Sequence, residues 1–348
     1  MAEAGEGKGD SGARPRATLA SVASRVGVSL NTVSRALRAP QTVRPELRKR
    51  IEAALNEADY VPNRLAGGLV RTRSNVVGVV VTSLFYSEFA AVVDALQTGL
   101  ADHGLQVMLG NSRYDQDQEL QIVRDFLSWR PAAMAIIGLD HHPRAAELLR
   151  ASGTPVVEMW DAGGAFIDSV VGMDHVAIGR AQGGHLIARG YRRLAFLGSL
   201  RAEDARARKR AEGFMAAGAQ VGRPVLHTLP EPGDPRLGER LLHELLDRHP
   251  DIDGVACNSD AVAFGVLRAL GSRARRVPND CGVVGFGDSE ASAYMAPPLT
   301  TIRPSREAIG RLTAETILAR IAGGAPRQLA VGWDLIERAS TGAADRLL

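Results

Sequence analysis

Val28-Ser29-Leu30-Asn31-Thr32-Val33-Ser34-Arg35-Ala36-Leu37 has the pattern of a short, capped, amphipathic helix. Ser29 is suited to cap a helix beginning at Leu30, because a serine oxygen accepts a bond from a first-turn amide that has no helical partner. Val33 and Leu37, four residues apart, share a face and are expected to meet a small core. Leu30, Asn31, Ser34 and Arg35 then project outward, which on an isolated helix would be ordinary solvated surface. The preceding residues argue against that. Leu19, Val22, Ala23 and Val26 mark another helix closed by Gly27, so only Gly27, Val28 and Ser29 form the turn between the two. A helix pair joined this tightly sets its second member in the DNA major groove, with its N-terminal residues on base edges. Asn pairs with adenine, Arg with guanine, and Leu can touch a thymine methyl. A third helix carries Leu47, Ile51, Ala54 and Leu55, with Pro40 and Pro45 bracketing the loop into it.

The charge agrees with a nucleic-acid partner at this end. Residues 1–75 hold 13 Lys/Arg against 7 Asp/Glu, a balance of +6, while the whole chain is +3 and the remainder therefore −3. A composition of 45% hydrophobic and 23% charged residues is that of a globular protein. No apolar run approaches the roughly 20 residues of a membrane helix. Residues 1–17 lack the apolar centre of a secretion signal and read as a disordered tail, so a cytoplasmic location is expected. Cys257 and Cys281 sit in apolar strand-like runs and read as small buried hydrophobes rather than a disulfide.

From Val76 the pattern changes to short apolar runs alternating with longer amphipathic segments. Strand-like Val76 to Val81, Leu105 to Leu109, Met134 to Leu139 and Val156 to Met159 alternate with helix-like Glu88 to His103 and Asp117 to Trp129. The rhythm continues through Leu194 to Leu197, Val255 to Cys257 and Cys281 to Phe286. Such βαβ succession implies parallel sheets with helices on both faces. So many units exceed what one core usually holds, and two lobes are expected.

The front of the chain resembles the LacI/GalR family of transcriptional regulators. The resemblance is carried by Thr18-Leu19-Ala20-Ser21-Val22-Ala23, Val26-Gly27-Val28-Ser29, Thr32-Val33-Ser34-Arg35 and Tyr60-Val61-Pro62-Asn63-Arg64. Val283-Val284-Gly285-Phe286 and Pro297-Pro298-Leu299-Thr300-Thr301-Ile302 extend it to the C-terminal part. Within the family, Phe126-Leu127-Ser128-Trp129, Pro155-Val156-Val157-Glu158 and Val171-Gly172-Met173-Asp174 look most like repressors of gluconate utilisation.

The resemblance implies a small all-α helix-turn-helix headpiece followed by an α/β two-lobed domain, like periplasmic binding proteins, with parallel sheets. The expected division is a tail at 1–17, headpiece at 18–62, hinge at 63–75, and a domain for effector binding and dimerisation at 76–348. Its lobes are expected at about 76–172 with 301–328, and 173–300 with 329–340. The implied DNA contacts are Thr18, Ser29, Leu30, Asn31, Thr32, Ser34, Arg35, Asn63, Arg64 and Leu69. Leu69 occupies the position of a leucine that wedges into the minor groove. Gly67 and Gly68 beside it disfavour a free hinge helix by ~1 kcal/mol each. The implied partners are palindromic double-stranded operator DNA, a second copy of the chain and a small effector, with no cofactor or metal and no membrane.

Ligands of open parallel sheets bind beyond the carboxyl ends of the strands. Ser83, Tyr86, Asp140, Trp160, Ser259, Asp260 and Asp288 fall there, and Trp160 and Tyr86 could equally belong to a core or lobe interface. Arg210 belongs to the basic run Arg206 to Arg210, which by its chemistry alone reads as a solvated helix face. The resemblance instead assigns Arg210, three residues before Gly213, to gripping the effector, and a guanidinium fork suits a carboxylate. Two departures from sugar-binding relatives stand out: Gly287 where an Asp is usual, and Ser259 in place of Asn. One acidic hydroxyl-binder is thus missing, which favours a sugar-acid effector. An enzyme or a secreted sugar-binding protein could share the fold. The chain has no phosphate-binding Gly-x-Gly-x-x-Gly after its first strand, no P-loop and no Gly-x-Ser-x-Gly elbow. The adjacent His141 and His142 precede Pro143 in an expected loop and read as surface residues rather than metal ligands.

Overall fold

A computed structural model of the chain describes residues 18–58, 60, 74–84 and 87–342. It separates into two compact units, divided between Thr72 and Arg73.

Among the described residues the first unit has three α-helices, α1 (Leu19–Val26), α2 (Leu30–Arg38) and α3 (Pro45–Glu57). Thr18 starts α1 with a capping box, its hydroxyl accepting from the Ser21 amide while the Ser21 hydroxyl accepts from the Thr18 amide. Gly27 ends α1 at φ 73°, a left-handed conformation that glycine adopts without a Cβ penalty. Ser29 caps α2 by accepting from the Thr32 amide. The core is built from Val22, Ala23, Val26, Val33, Ala36, Val43, Ile51, Ala54 and Leu55. Leu37 was expected in it but is 37% exposed, because Val33 and Ala36, one turn apart, make the inward face.

The second unit contains β1 (Val76–Val81), α4 (Ser87–Ala101), β2 (Gln106–Asn111), α5 (Gln116–Ser128), β3 (Ala133–Ile137), α6 (Pro143–Ser152), β4 (Val156–Asp161) and β5 (Ser169–Met173). It continues with α7 (His175–Ala188), β6 (Leu194–Ser199), α8 (Ala205–Gly218), β7 (Val225–Leu229), α9 (Pro235–Arg248), β8 (Gly254–Cys257), α10 (Asp260–Ser272) and β9 (Gly282–Phe286). The last elements are β10 (Thr300–Pro304), α11 (Arg306–Ile321), β11 (Gln328–Ala330) and β12 (Trp333–Ile336). Two six-stranded sheets result, in the orders β11-β5-β4-β3-β1-β2 and β12-β10-β9-β8-β6-β7. Among the described residues all pairings are parallel except β10 with β12, and the central strands β3, β4, β8 and β9 are buried along their whole length.

The strand crossings fall a few residues from the expected positions. β10 pairs with β9 through Ile302 and with β12 through Pro304, and so belongs to the second sheet rather than to the first lobe expected for 301–328. β11 pairs with β5 in the first sheet, although 329–340 was assigned to the second. Continuous ladder hydrogen bonding, invisible in composition, decides both. α11 then packs on α4 through Gly310, where an added Cβ would lie 2.4 Å from the Val92 carbonyl. Cys257 and Cys281 are buried and are not joined in a disulfide.

Candidate functional site

Two surfaces carry the chemistry, one in each unit. In the first, α2 presents Leu30 at 50% exposure together with exposed Asn31 and Arg35, and half-buried Thr32 and Ser34. An exposed leucine at a helix start has no reason in the unit's own packing. Thr18, Ser29 and Thr32 are occupied by capping: the Ser29 hydroxyl lies 2.9 Å from that of Thr32. Asn63, Arg64 and Leu69 lie outside the described residues.

In the second unit, the strand ends of the two sheets face each other across a cavity of about 280 Å³. Its strongest feature is α8. This helix crosses α7 so closely that a Cβ on Gly179 would lie 1.9 Å from the Arg210 carbonyl, and one on Gly213 2.0 Å from the Val176 carbonyl. Two glycines thus let α8 sink until Arg206 and Arg210, one turn apart, are 2% and 5% exposed. The basic run is therefore not a solvated face; these two side chains line the cavity.

Arg210 lies with its guanidinium carbon 4.1 Å from the Phe286 ring centre, donates from Nη2 to the Asn258 carbonyl at 3.3 Å, and has Nη1 2.9 Å from His175 Nδ1. Burial, with Arg210 and Arg206 adding to it, holds the His175 imidazole well below its ordinary pKa. His175 is therefore neutral, accepting from Arg210 at Nδ1 and donating from Nε2 to the Trp160 carbonyl at 3.1 Å. Arg206 donates to Thr82 Oγ1 and Asp204 Oδ1, each at 3.4 Å. Arg210 Nε and Arg206 Nη1 are buried donors with no partner among the described residues. Burial lowers the Arg210 pKa to about 10, which still leaves it charged. Burying two guanidinium groups with unused donors is costly unless an anion completes the site.

Aromatic and polar walls surround these arginines. Trp160, 3% exposed, packs edge-on to Phe89 at 5.1 Å, and both line the cavity with Tyr114 and Phe286. Ser83 and Ser259 are lining residues too, and Ser259 also caps α10 by accepting from the Val262 amide. Arg113 and Arg201 add further positive charge, against Asp204 and Asp234, and Glu88 completes the wall.

Three expected ligand residues do not line the cavity. Asp140 accepts from the Ala205 amide at 3.0 Å and so holds the start of α8. Asp260 is fully engaged by the Ser289 amide and the hydroxyls of Ser292 and Thr301. Asp288 is paired with Arg303 at 2.5 Å and Arg338 at 2.7 Å. Tyr86 lies outside the described residues. The cavity does lie at the strand ends, but each aspartate's direction depends on loop partners far away in sequence. Arg206, Tyr114, Phe89, Glu88 and Asn258 were missed. The one usable signal was the four-residue spacing of Arg206 and Arg210, which puts both on one helix face.

The histidine pair also differs from expectation. His141 is buried between Glu119, 3.2 Å from Nδ1, and Glu158, 3.3 Å from Nε2. Burial opposes its charge, but the two carboxylates prevail and push its pKa up to about 9.

A three-helix unit with an exposed reading helix, followed by two parallel sheets enclosing a cationic cavity, defines a DNA-binding regulator with a small-molecule sensor. Residues 18–63 match the family described as bacterial regulatory proteins of the lacI family. Residues 74–339 match the periplasmic binding proteins and sugar binding domain of the LacI family. The chain belongs to the LacI family of transcriptional regulators. It is 38% identical over 332 residues to the HTH-type transcriptional regulator GntR of Pseudomonas aeruginosa, covering 94% of this chain and 96% of that one. It is 33% identical to GntR of Escherichia coli K12, covering 92% and 98%. Among solved structures, a LacI family regulator from Silicibacter pomeroyi matches with a TM-score of 0.87 at 32% identity, over 94% of this chain and all of that one. The lac repressor dimer bound to operator and the anti-inducer ONPF matches at 0.81 and 25% identity, over 94% and 100%. Among the described residues, no helix is long and apolar enough to cross a membrane.

Proposed function

We propose that this chain is a cytoplasmic repressor, dimeric on a palindromic operator, which a gluconate-like sugar acid releases from DNA. The observation that carries the effector class is the pair of buried arginines, Arg206 and Arg210, each with an unused donor in a cavity between the sheets. A planar guanidinium with free N–H groups fits a carboxylate, and the neutral His175 beside Arg210 brings no charge of its own. Aromatic Trp160, Phe89 and Phe286 offer apolar faces to a carbon chain, and Ser83, Ser259 and Asn258 offer hydroxyl partners. This reading agrees with the resemblance of residues 126–129, 155–158 and 171–174 to gluconate-utilisation repressors.

Operator reading is assigned to Leu30, Asn31, Ser34 and Arg35 on α2, with Thr18, Ser29 and Thr32 fixing the helix ends against the DNA backbone. Asn63, Arg64 and Leu69 are assigned to the hinge that bends the operator. The pairing of two headpieces follows the example of the lac repressor dimer bound to operator. The effector acts by differential affinity: it must bind the free protein more tightly than the DNA complex.

Calorimetry with gluconate and glucose, beside gel shifts with operator, tests the assignment. Gluconate should bind and release the operator, glucose should do neither. Arg210→Ala should lose about 2 to 5 kcal/mol of effector affinity while keeping operator binding, a super-repressor. Tight glucose binding without gluconate binding, or a normal response from Arg210→Ala, would refute it.

A further inference from the structure

Gly287, which lacks the side chain usual at its position, does not leave an empty place. A Cβ built there would lie 2.0 Å from Glu88 Oε1, so the carboxyl of Glu88 fills the space that a residue at 287 would take. The two come from opposite sheets: Glu88 is in the first turn of α4, after β1, and Gly287 directly follows β9. Glu88 is 7% exposed and lines the cavity with Arg210 and Phe286. No side chain among the described residues is hydrogen-bonded to its carboxyl group; the bond it makes is to its own backbone amide.

We propose that Glu88 is the hydroxyl-binding and specificity-determining residue of this cavity, reaching across from the first sheet to replace a side chain missing at 287, and that it binds a sugar acid as the neutral carboxylic acid. The inference rests on the sugar-acid reading above. A neutral carboxyl beside an anionic effector donates one hydrogen bond and accepts another, whereas a carboxylate there repels the ligand. The charged groups facing Glu88 are Asp260 at the start of α10, Arg306 at the start of α11 and Arg210 of α8. Burial first, and Asp260 in addition, push its pKa up to about 7 against the pull of both arginines, so the neutral acid is abundant near neutrality. A bound anion favours protonation further, and binding is then coupled to uptake of a proton.

Sugar-acid affinity is highest where Glu88 is already protonated, and it falls by up to tenfold per pH unit once the pH exceeds that pKa. The test is titration calorimetry of the full chain with gluconate at pH 6, 7 and 8, repeated in two buffers of different ionisation enthalpy. The expected result is several-fold weaker binding at pH 8 than at pH 6, and a buffer-dependent heat that reports proton uptake. Glu88→Gln, neutral at every pH, should flatten the pH dependence and abolish the uptake, with operator binding in the same samples verifying its fold. Gluconate binding to the unaltered protein with no pH dependence and no proton uptake would overturn the inference and leave the sugar-acid reading standing. The same pH dependence in Glu88→Gln would overturn it too. No gluconate binding at any pH would overturn the sugar-acid reading and this inference with it.

Discussion

Arg206 shows how far a residue's role depends on what surrounds it. In a run with Arg208, Lys209 and Arg210 it has the chemistry of solvated surface, yet it is buried against Thr82 and Asp204 with Nη1 unpartnered. Its charge is kept despite burial because Asp204, Asp140 and Asp161 lie in its field. Arg206→Ala should therefore weaken effector binding by at least tenfold in calorimetry without lowering operator affinity in gel shifts; an unaltered gluconate affinity would remove it from the site. On the DNA side, Asn31→Ala and Arg35→Ala should each weaken specific operator binding by about 1 to 3 kcal/mol, with a much smaller loss on unrelated DNA at the same salt. Equal losses on both DNAs would mean that these side chains meet phosphate and not bases.

Helices here are set by their ends and by their crossings. Ser29 satisfies a first-turn amide of α2, so Ser29→Ala should cost about 1 kcal/mol of headpiece stability. The reading helix would fray at the end that meets DNA. For α8 the crossing with α7 matters more than any cap, since the carbonyls of Arg210 and Val176 occupy the room that side chains at 179 and 213 would need. Gly213→Ala forces the helices apart, and thermal unfolding of the sensor unit should start several degrees lower, with effector affinity reduced because Arg210 rides on α8. An unchanged unfolding profile would show that the crossing yields without cost. Asp140 and Lys209 add links between the sheets, Asp140 to the Ala205 amide and Lys209 to Asp161 at 2.5 Å and the Gly163 carbonyl. α8 is thus the element through which a ligand's arrival would be felt in both sheets.

At the scale of the molecule, charge separates the two tasks. The basic front should make operator affinity fall steeply with salt, while gluconate affinity, resting on buried arginines, should change far less. Stability of the sensor unit has its own pH dependence through His141. A pKa near 9 in the folded state, above about 6.5 unfolded, means the stabilisation is full below pH 6.5 and disappears as the pH rises through 9. The upper bound for this loss is roughly 3 kcal/mol. Urea midpoints at pH 6.5 and 9 should differ accordingly, and His141→Gln should remove most of the difference; equal midpoints in the unaltered chain would count against the buried ion cluster.

What the linear sequence determined was everything set by near neighbours. Helix starts and stops around Gly27 and Ser29, the outward position of Leu30, Asn31 and Arg35, and the βαβ alternation all arise from periodicity and caps within a few residues. The resemblance to the LacI family also rests on such local runs, and it singled out Arg210 where chemistry alone favoured a solvated face. Direction and depth were set by packing between elements distant in sequence. Asp260 and Asp288 stand where strands end, as expected, but Thr301 and Ser292 turn one inward and Arg303 and Arg338 hold the other aside. Leu37 left the headpiece core, and His141 left the surface, for the same reason. Burial is a property of packed elements, and the partners of Glu119, Glu158 and Glu88 are brought together only when the sheets form. The space at Gly287 is the clearest case: a missing side chain in the sequence is, in the fold, the place taken by a carboxyl group from about 200 residues away.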